Sequence, residues 1–212
     1  VLGPLLFRPA GSRGQRTAPE RFSRLRHLLG DDSGLTTRAL LDVTRSSGSA
    51  WKVLFSMGVL FGVTALLLGQ ITAATGLEPS PGIAFGTLLG LGAFTTYSWV
   101  TQFDDAEEYL RYPVSIRAVF AGKRRAYLLL SLAAGLAYLA VATLWYQPAA
   151  LAIGVVVLPL IAVYVYGVTA FVAGLSPTEL LFDTVLFLGF GAALAAVAVP
   201  LLVAALVYPT AQ

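Results

Sequence analysis

Five long apolar runs constrain this sequence more than any other feature. They cover about 53–74, 82–101, 126–146, 151–173 and 185–208, and none contains Asp, Glu, Lys, Arg or His. A transmembrane helix needs about 20 apolar residues, and lipid tolerates only helices and closed barrels. The composition agrees, because 12% of residues are charged, against about 25% in soluble domains. The sequence therefore predicts an all-α polytopic membrane protein with about five transmembrane helices.

The N-terminal region, residues 1–34, has a different character. Its first seven residues, VLGPLLF, are apolar but too few to span a bilayer. We therefore expect the end of an upstream span here, and a chain that is the C-terminal part of a longer protein. The remainder is rich in Arg, Pro, Gly and Ser, which predicts a basic linker. One short amphipathic turn within it places Phe22, Leu25 and Leu29 on one side.

Residues 35–52 have the pattern of an amphipathic helix. Leu35, Ala39 and Val43 recur at helical spacing, and a charge pair at i,i+4 lies on another face. An aromatic residue and a cation follow, as is typical of a membrane interface. The pattern predicts a cytoplasmic interface helix before the first span, with a short soluble helix as the alternative. The pair is Arg38 and Asp42, and the interfacial residues are Trp51 and Lys52.

Small and polar residues within the spans suggest two further features. Glycines recur every fourth residue, which favours close packing of helices in lipid. They are Gly58 and Gly62 in the first run, and Gly82, Gly86 and Gly90 in the second. The second run also contains the polar stretch FTTYSW, whose side chains are candidates for lining a transport pathway. These candidates are Thr95, Thr96, Tyr97 and Ser98, and helix packing explains them equally well.

The distribution of basic residues predicts the orientation. Residues 8–52 carry nine Lys or Arg and the 102–125 loop carries five, whereas the 75–81 and 147–150 loops carry none. Cytoplasmic segments are enriched in Lys and Arg. We therefore expect a multi-pass protein of the cell membrane whose N-terminal segment and 102–125 loop are cytoplasmic. The 174–184 loop would lie on the same side.

Several kinds of chemistry have no support in this sequence. It contains no cysteine, one histidine and no phosphate-binding glycine loop, so we expect no catalytic residues, metal site or bound cofactor in this chain. Nothing in it suggests binding to nucleic acid. The five apolar runs carry no ionisable group of the kind that ion-coupled transporters bury. If the protein transports a substrate, the energy should come from outside the spans.

The acidic part of the 102–125 loop permits an enzymatic alternative. Carboxylates at i and i+3 or i+4 share a helix face and can hold Mg²⁺. Two such pairs on one side of the bundle resemble those of intramembrane prenyltransferases. The alternative is thus a magnesium-dependent transferase using Asp104, Asp105, Glu108, Glu179 and Asp183. A third alternative is a structural membrane subunit whose loop anchors a complex.

The same loop also has the pattern of two helices joined by a sharp bend, which could be a docking site for a partner protein. Glu107 and Arg111 form an i,i+4 pair in a short helix that Pro113 ends. The next helix carries aliphatic, aromatic and basic residues on one face and continues into the third span. That face contains Ile116, Val119, Phe120 and Lys123. Such a bend at the membrane surface can pass movement from a partner to the spans.

Residues 108–123, EYLRYPVSIRAVFAGK, carry a family resemblance. They resemble the cytoplasmic signature of ABC-2-type transporter permeases, with an acidic residue, P-V-S, and then G-K opening the third span. The family usually has a basic residue directly after the serine and six spans per half, whereas here Ile116 intervenes and five spans are visible. The resemblance implies a separate ATPase partner that binds ATP and Mg²⁺, and a second permease half or a homodimer. The residues implied in coupling are Glu107, Glu108, Arg111, Pro113, Val114, Ser115, Arg117, Gly122 and Lys123.

Overall fold

The computed structural model describes residues 19–45, 49–101, 114–175 and 183–208. Within these ranges the secondary structure is helical, without strands, which confirms the all-α prediction. The helices are α1 (Pro19–Leu29), α2 (Leu35–Arg45), α3 (Ser49–Thr75), α4 (Pro81–Thr101), α5 (Ile116–Ala142), α6 (Pro148–Ala173) and α7 (Thr184–Val207).

Five of these helices, α3 to α7, are long and apolar enough to cross a membrane. They confirm the predicted multi-pass membrane protein. Aromatic side chains stand near their ends, where they suit the bilayer interface. Trp51 lies in the first turn of α3, and the Lys52 ammonium lies 4.2 Å from the ring centre of Trp99 near the end of α4. Trp145 and Tyr146 lie between α5 and α6.

The limits of two predicted helices differ from those observed. The third apolar run predicted a span over 126–146, but α5 begins at Ile116 and ends at Ala142. The basic residues at 123–125 continue the helix because long cationic side chains keep good helix propensity. Likewise, the predicted interface helix over 35–52 ends at Arg45, and residues 49–52 belong to α3.

Helix α2 is held by protein contacts on its apolar face. Ala39 and Val43 are buried in the same core as residues of α3 and α4, and the helix packs against α1, α3, α4 and α5. Its exposed side carries Arg38 and Asp42, whose Nε and Oδ2 atoms lie 3.8 Å apart, as the spacing predicted. Other helices therefore cover this apolar face, and the position of α2 at the membrane interface stays a prediction.

Helix α4 is the centre of the bundle. Two-thirds of its span is buried, against 17% in α3 and α7. It packs on α3, α5, α6 and α7, most extensively on α6. The predicted glycine face makes this packing possible, since a Cβ built on Gly86 would lie 3.0 Å from the Cα of Gly154. At Gly82, a Cβ would lie 2.5 Å from the Ala150 carbonyl oxygen.

Candidate functional site

The described residues of the permease-like signature, 114–123, lie at one end of the bundle. Here the first turns of α5 lie against the start of α2 and the last turn of α4. We call this contact region the α5 joint and define it by Leu35, Val100, Ser115, Gly122 and Lys123. Its three α5 residues come from the resemblance found in the sequence, and each makes a different kind of contact.

Ser115 starts helix α5. Its backbone is extended (φ −71°, ψ 135°) and its hydroxyl oxygen accepts a hydrogen bond from the Ala118 N–H at 3.3 Å. Such N-caps stabilise a helix by about 1 kcal/mol. The preceding Val114 is exposed. Ser115 therefore fixes where helix α5 begins.

Gly122 allows α2 and α5 to touch backbone to backbone. A Cβ at this position would lie 2.7 Å from the Leu35 Cβ and 3.2 Å from the Thr36 nitrogen. Real Cβ atoms do not approach other atoms as closely as 2.7 Å, so a larger residue would push the two helices apart. The sequence singled out this glycine through the signature, and the structure gives it a steric reason.

Lys123 ties α5 to the end of α4. Its side chain is buried, with 7% exposed, and Nζ donates a hydrogen bond to the Val100 carbonyl oxygen at 3.0 Å. The last four carbonyls of a helix lack intrahelical partners and carry partial negative charge. A buried cation is costly unless it is paired with such groups. Lys123 thus caps α4 from the neighbouring helix.

The turn before α2 is organised by Asp31, which is 3% exposed. Oδ1 accepts from the Gly34 N–H (3.1 Å) and the Ser33 hydroxyl (2.8 Å). Oδ2 accepts from the Thr37 N–H (2.8 Å) and hydroxyl (2.9 Å). Burial opposes ionisation, but these hydrogen bonds outweigh it and hold the pKa of Asp31 below its ordinary value. Arg26 closes the turn by donating from Nε to the Asp31 carbonyl oxygen at 3.0 Å.

Three tyrosines form a buried cluster beside the α5 joint. Tyr97, Tyr127 and Tyr166, from α4, α5 and α6, have ring centres 5.2 to 6.2 Å apart. Each of the three hydroxyls donates to a backbone carbonyl on another element, so none of them is left unpaired. Tyr127 and Tyr166 donate at 2.8 Å to Ala162 and Phe120. Tyr97 donates to Gly174, where α6 ends.

Sequence reasoning missed this cluster. It placed Tyr97 with the pathway candidates and gave no role to Tyr127 or Tyr166. The available signal was that buried tyrosines in apolar helices must find hydrogen-bond acceptors. Which carbonyls they reach depends on how the helices pack, and no pattern along the chain gives that.

The four pathway candidates do not converge on one cavity wall. Thr95 Oγ1 lies 2.9 Å from Ser56 Oγ on α3, whereas Tyr97 belongs to the tyrosine cluster. Thr96 is fully buried, and its hydroxyl has no hydrogen-bond partner within the described parts of the chain. Ser98 donates to Phe94 in the preceding turn at 3.4 Å. Helix packing accounts for three of these side chains, and a pathway along them stays a prediction.

An apolar cleft of about 260 Å³ opens at the other end of the bundle. It lies where α3 and α7 both rest on α4. Aliphatic side chains form most of its walls, including Leu67, Leu88 and Val203. A hydrocarbon surface of this kind suits lipid chains, and it offers no group for acid–base or nucleophilic chemistry.

Several predicted site residues lie outside the described residues. They are the coupling residues Glu107, Glu108, Arg111 and Pro113, and the carboxylates Asp104, Asp105 and Glu179. Asp183 is described, and its Oδ1 caps α7 by accepting from the Val185 and Leu186 N–H groups at 2.9 and 3.0 Å. Across the ranges that the structure describes, no three His, Asp or Glu side chains gather as metal ligands would.

The α5 joint connects three helices. Gly122 packs directly on the start of α2, and the Lys123 side chain bonds to the last turn of α4. Comparison with family models, curated proteins and solved structures gave no match for this chain. Its function must therefore be argued from the residues themselves.

Proposed function

We propose that this chain is the membrane permease component of an ATP-driven ABC-2-like exporter. It would work with a separate ATPase and with a second permease half or a second copy of itself. The observation that carries the proposal is the α5 joint. Of the residues that match the permease signature, Ser115 caps α5 itself, Gly122 packs on α2, and Lys123 donates a hydrogen bond to the end of α4.

The joint offers a route for movement from a docked partner. An ATPase docked on the 102–113 segment would push on α5 at the Ser115 cap. Gly122 and Lys123 would carry the displacement to α2 and to the end of α4. The Tyr97 hydroxyl would extend it to Gly174, where the second loop of this end begins. Packed elements with two arrangements can pass such displacements over long distances.

The proposed orientation places the α5 joint and the N-terminal helices in the cytoplasm of the cell that carries the protein in its membrane. Its support is the excess of Lys and Arg at this end and their lack in the two loops at the other end. This orientation would give a cytoplasmic ATPase access to the loop.

The permease proposal expects an ABC-type ATPase to be encoded in a neighbouring reading frame, and the test is coexpression of the chain with that ATPase. We expect the two proteins to purify together in detergent, and we expect the complex to hydrolyse ATP faster than the ATPase alone. The Lys123→Met variant should keep the complex but lower this stimulation severalfold, because α4 loses its link to α5. Lys52→Met, whose cation rests on Trp99 at the same end, is the matched control.

Two outcomes would count against the permease. One is an ATPase that never associates with the chain, and the other is identical stimulation for the Lys123 and Lys52 variants. Thermal unfolding of each variant separates lost coupling from lost folding. Replacing Pro113, or Glu107 and Glu108 together, tests whether the ATPase docks on these residues. If such variants stimulate ATP hydrolysis as well as the unchanged chain does, these residues are not part of the docking surface.

The transferase alternative gains no specific support. Of its five carboxylates, Asp183 is described, and its Oδ1 is engaged as a helix cap. A transferase would be stabilised against heat by Mg²⁺, and an Asp105→Asn/Glu108→Gln variant would lose that stabilisation. The permease proposal expects no such effect of Mg²⁺ on the isolated chain.

A further inference from the structure

Helix α5 has a stripe of residues that no other helix covers. Along its membrane part the stripe is apolar, as the half-exposed Leu129 and Leu136 show. Toward the N-terminus the exposed residues become basic: Arg125 continues the line of Leu129 and Leu136, and Arg117 and Arg124 lie on the adjoining exposed face of the helix. Arg125 therefore lies directly above the lipid-facing stripe, with Arg124 beside it.

The length of α5 sets the depth of the arginines. The uncharged part of α5 is residues 126–142, which at 1.5 Å per residue spans about 25 Å. The hydrocarbon core of a bilayer is about 30 Å thick. A helix slightly shorter than the core draws its flanking residues to the boundary. Arg124 and Arg125 then lie where hydrocarbon gives way to headgroups.

The start of α5 carries a concentration of positive charge. Throughout the described residues, Arg117, Arg124 and Arg125 form no ion pair with Asp or Glu. A guanidinium group offers five donors in a planar fork that fits two phosphate oxygens. At headgroup depth, on a lipid-facing stripe, the groups of matching charge and geometry are lipid phosphates.

We propose that Arg124 and Arg125 form a binding site for the headgroup of an anionic phospholipid, with Arg117 at its outer edge. Lipid chains would lie along the apolar stripe that contains Leu129 and Leu136. The proposal is independent of the transport function, because it rests on the exposure, depth and charge of α5 alone. Its partner is a membrane lipid and not a protein, since a soluble protein reaches Arg117 more readily than the boundary residues Arg124 and Arg125.

Thermal unfolding in mixed micelles tests this site. The purified full chain is titrated with short-chain phosphatidylglycerol or phosphatidylcholine, and the midpoint temperature is followed. We expect stabilisation by phosphatidylglycerol at lower concentration. Each basic residue near an anionic surface contributes about 1 kcal/mol, so the Arg124→Gln/Arg125→Gln variant should bind the anionic lipid on the order of tenfold more weakly.

Control variants show whether the preference for phosphatidylglycerol comes from Arg124 and Arg125 or from positive charge elsewhere in the chain. Arg21→Gln/Arg24→Gln removes equal charge from α1 and should leave the lipid preference unchanged. Arg124→Lys/Arg125→Lys keeps the charge and should retain most of the preference, even if the glutamine variant unfolds. Inorganic phosphate alone should not stabilise the chain. Four outcomes would each overturn the proposal. Two concern the ligand: equal stabilisation by the two lipids, or stabilisation by free phosphate. Two concern the variants: loss of the lipid preference in the Arg21→Gln/Arg24→Gln variant, or its absence in the Arg124→Lys/Arg125→Lys variant.

Discussion

Asp31 illustrates how one side chain can fix the position of a helix. Its two oxygens accept four hydrogen bonds, which join the turn after α1 to the first turn of α2. The Thr37 N–H is one of the first amides of α2, which have no intrahelical acceptor. Because the carboxylate is buried, its replacement would leave polar groups unpaired.

The first prediction concerns the stability of this turn. Asp31→Asn should destabilise the α1–α2 region by about 2 kcal/mol, because its amide nitrogen cannot accept from Thr37. Hydrogen–deuterium exchange of the α2 amides measures the effect. The exposed Asp32→Asn is the control. Similar exchange in the two variants would contradict the assigned role.

The pH dependence follows from the direction of the pKa shift. The folded chain holds the pKa of Asp31 below its ordinary value near 3.8. The ionised carboxylate therefore stabilises the fold fully above that value, and the contribution is lost as the pH falls through the folded pKa. We expect the protection of α2 to decrease below about pH 4, and the Asp31→Asn variant should lack this component.

At the level of helices, the packing of α4 against α6 determines the bundle. Each glycine in this contact lets one backbone touch another, so van der Waals packing replaces the hydrophobic effect that lipid does not supply. A Cβ on Gly154 would lie 2.7 Å from the Gly82 carbonyl oxygen. Gly167, on the same helix, has no neighbour within 4 Å of an added Cβ.

These two glycines provide a matched test. Gly154→Val should destabilise the bundle by about 3 kcal/mol, because α4 and α6 must separate. Gly167→Val makes the same change in the same helix and should cost far less. Unfolding in mixtures of mild detergent and SDS, followed by tryptophan fluorescence, measures both. Equal losses would show that the helix interior, and not the contact, is sensitive to valine.

The sequence predicted the positions of the helices better than the contacts between them. Length and lack of charge were enough for the five spans, and the glycine repeat predicted the close-packed face of α4. The prediction that the helix after Pro113 continues into the third span is confirmed, since α5 runs from Ile116 through Arg124 and Arg125 without a break. The partners of Lys123 and Tyr97 are carbonyls on other helices, so no local pattern encodes them.

For the whole molecule, the proposed orientation is directly testable. The chain contains no cysteine, so single cysteines can be introduced without background. We expect Gln147→Cys to react with a membrane-impermeant maleimide in intact cells, because the 147–150 loop lacks basic residues and should lie outside. Asp32→Cys should react only after the membrane is permeabilised. The reverse pattern of labelling would show that the topology is opposite to the proposed one, with the proposed docking segment 102–113 outside the cytoplasm.

The central position of α4 also affects how the protein is made. This helix has the lowest hydropathy of the five spans, yet it is the most buried. Its main partner, α6, ends roughly 70 residues later, which at 5–20 residues per second is a delay of about 4 to 14 seconds. During that interval its glycine face has no protein to contact. The insertion machinery must therefore hold a weakly apolar helix in place until the rest of the chain has been synthesised.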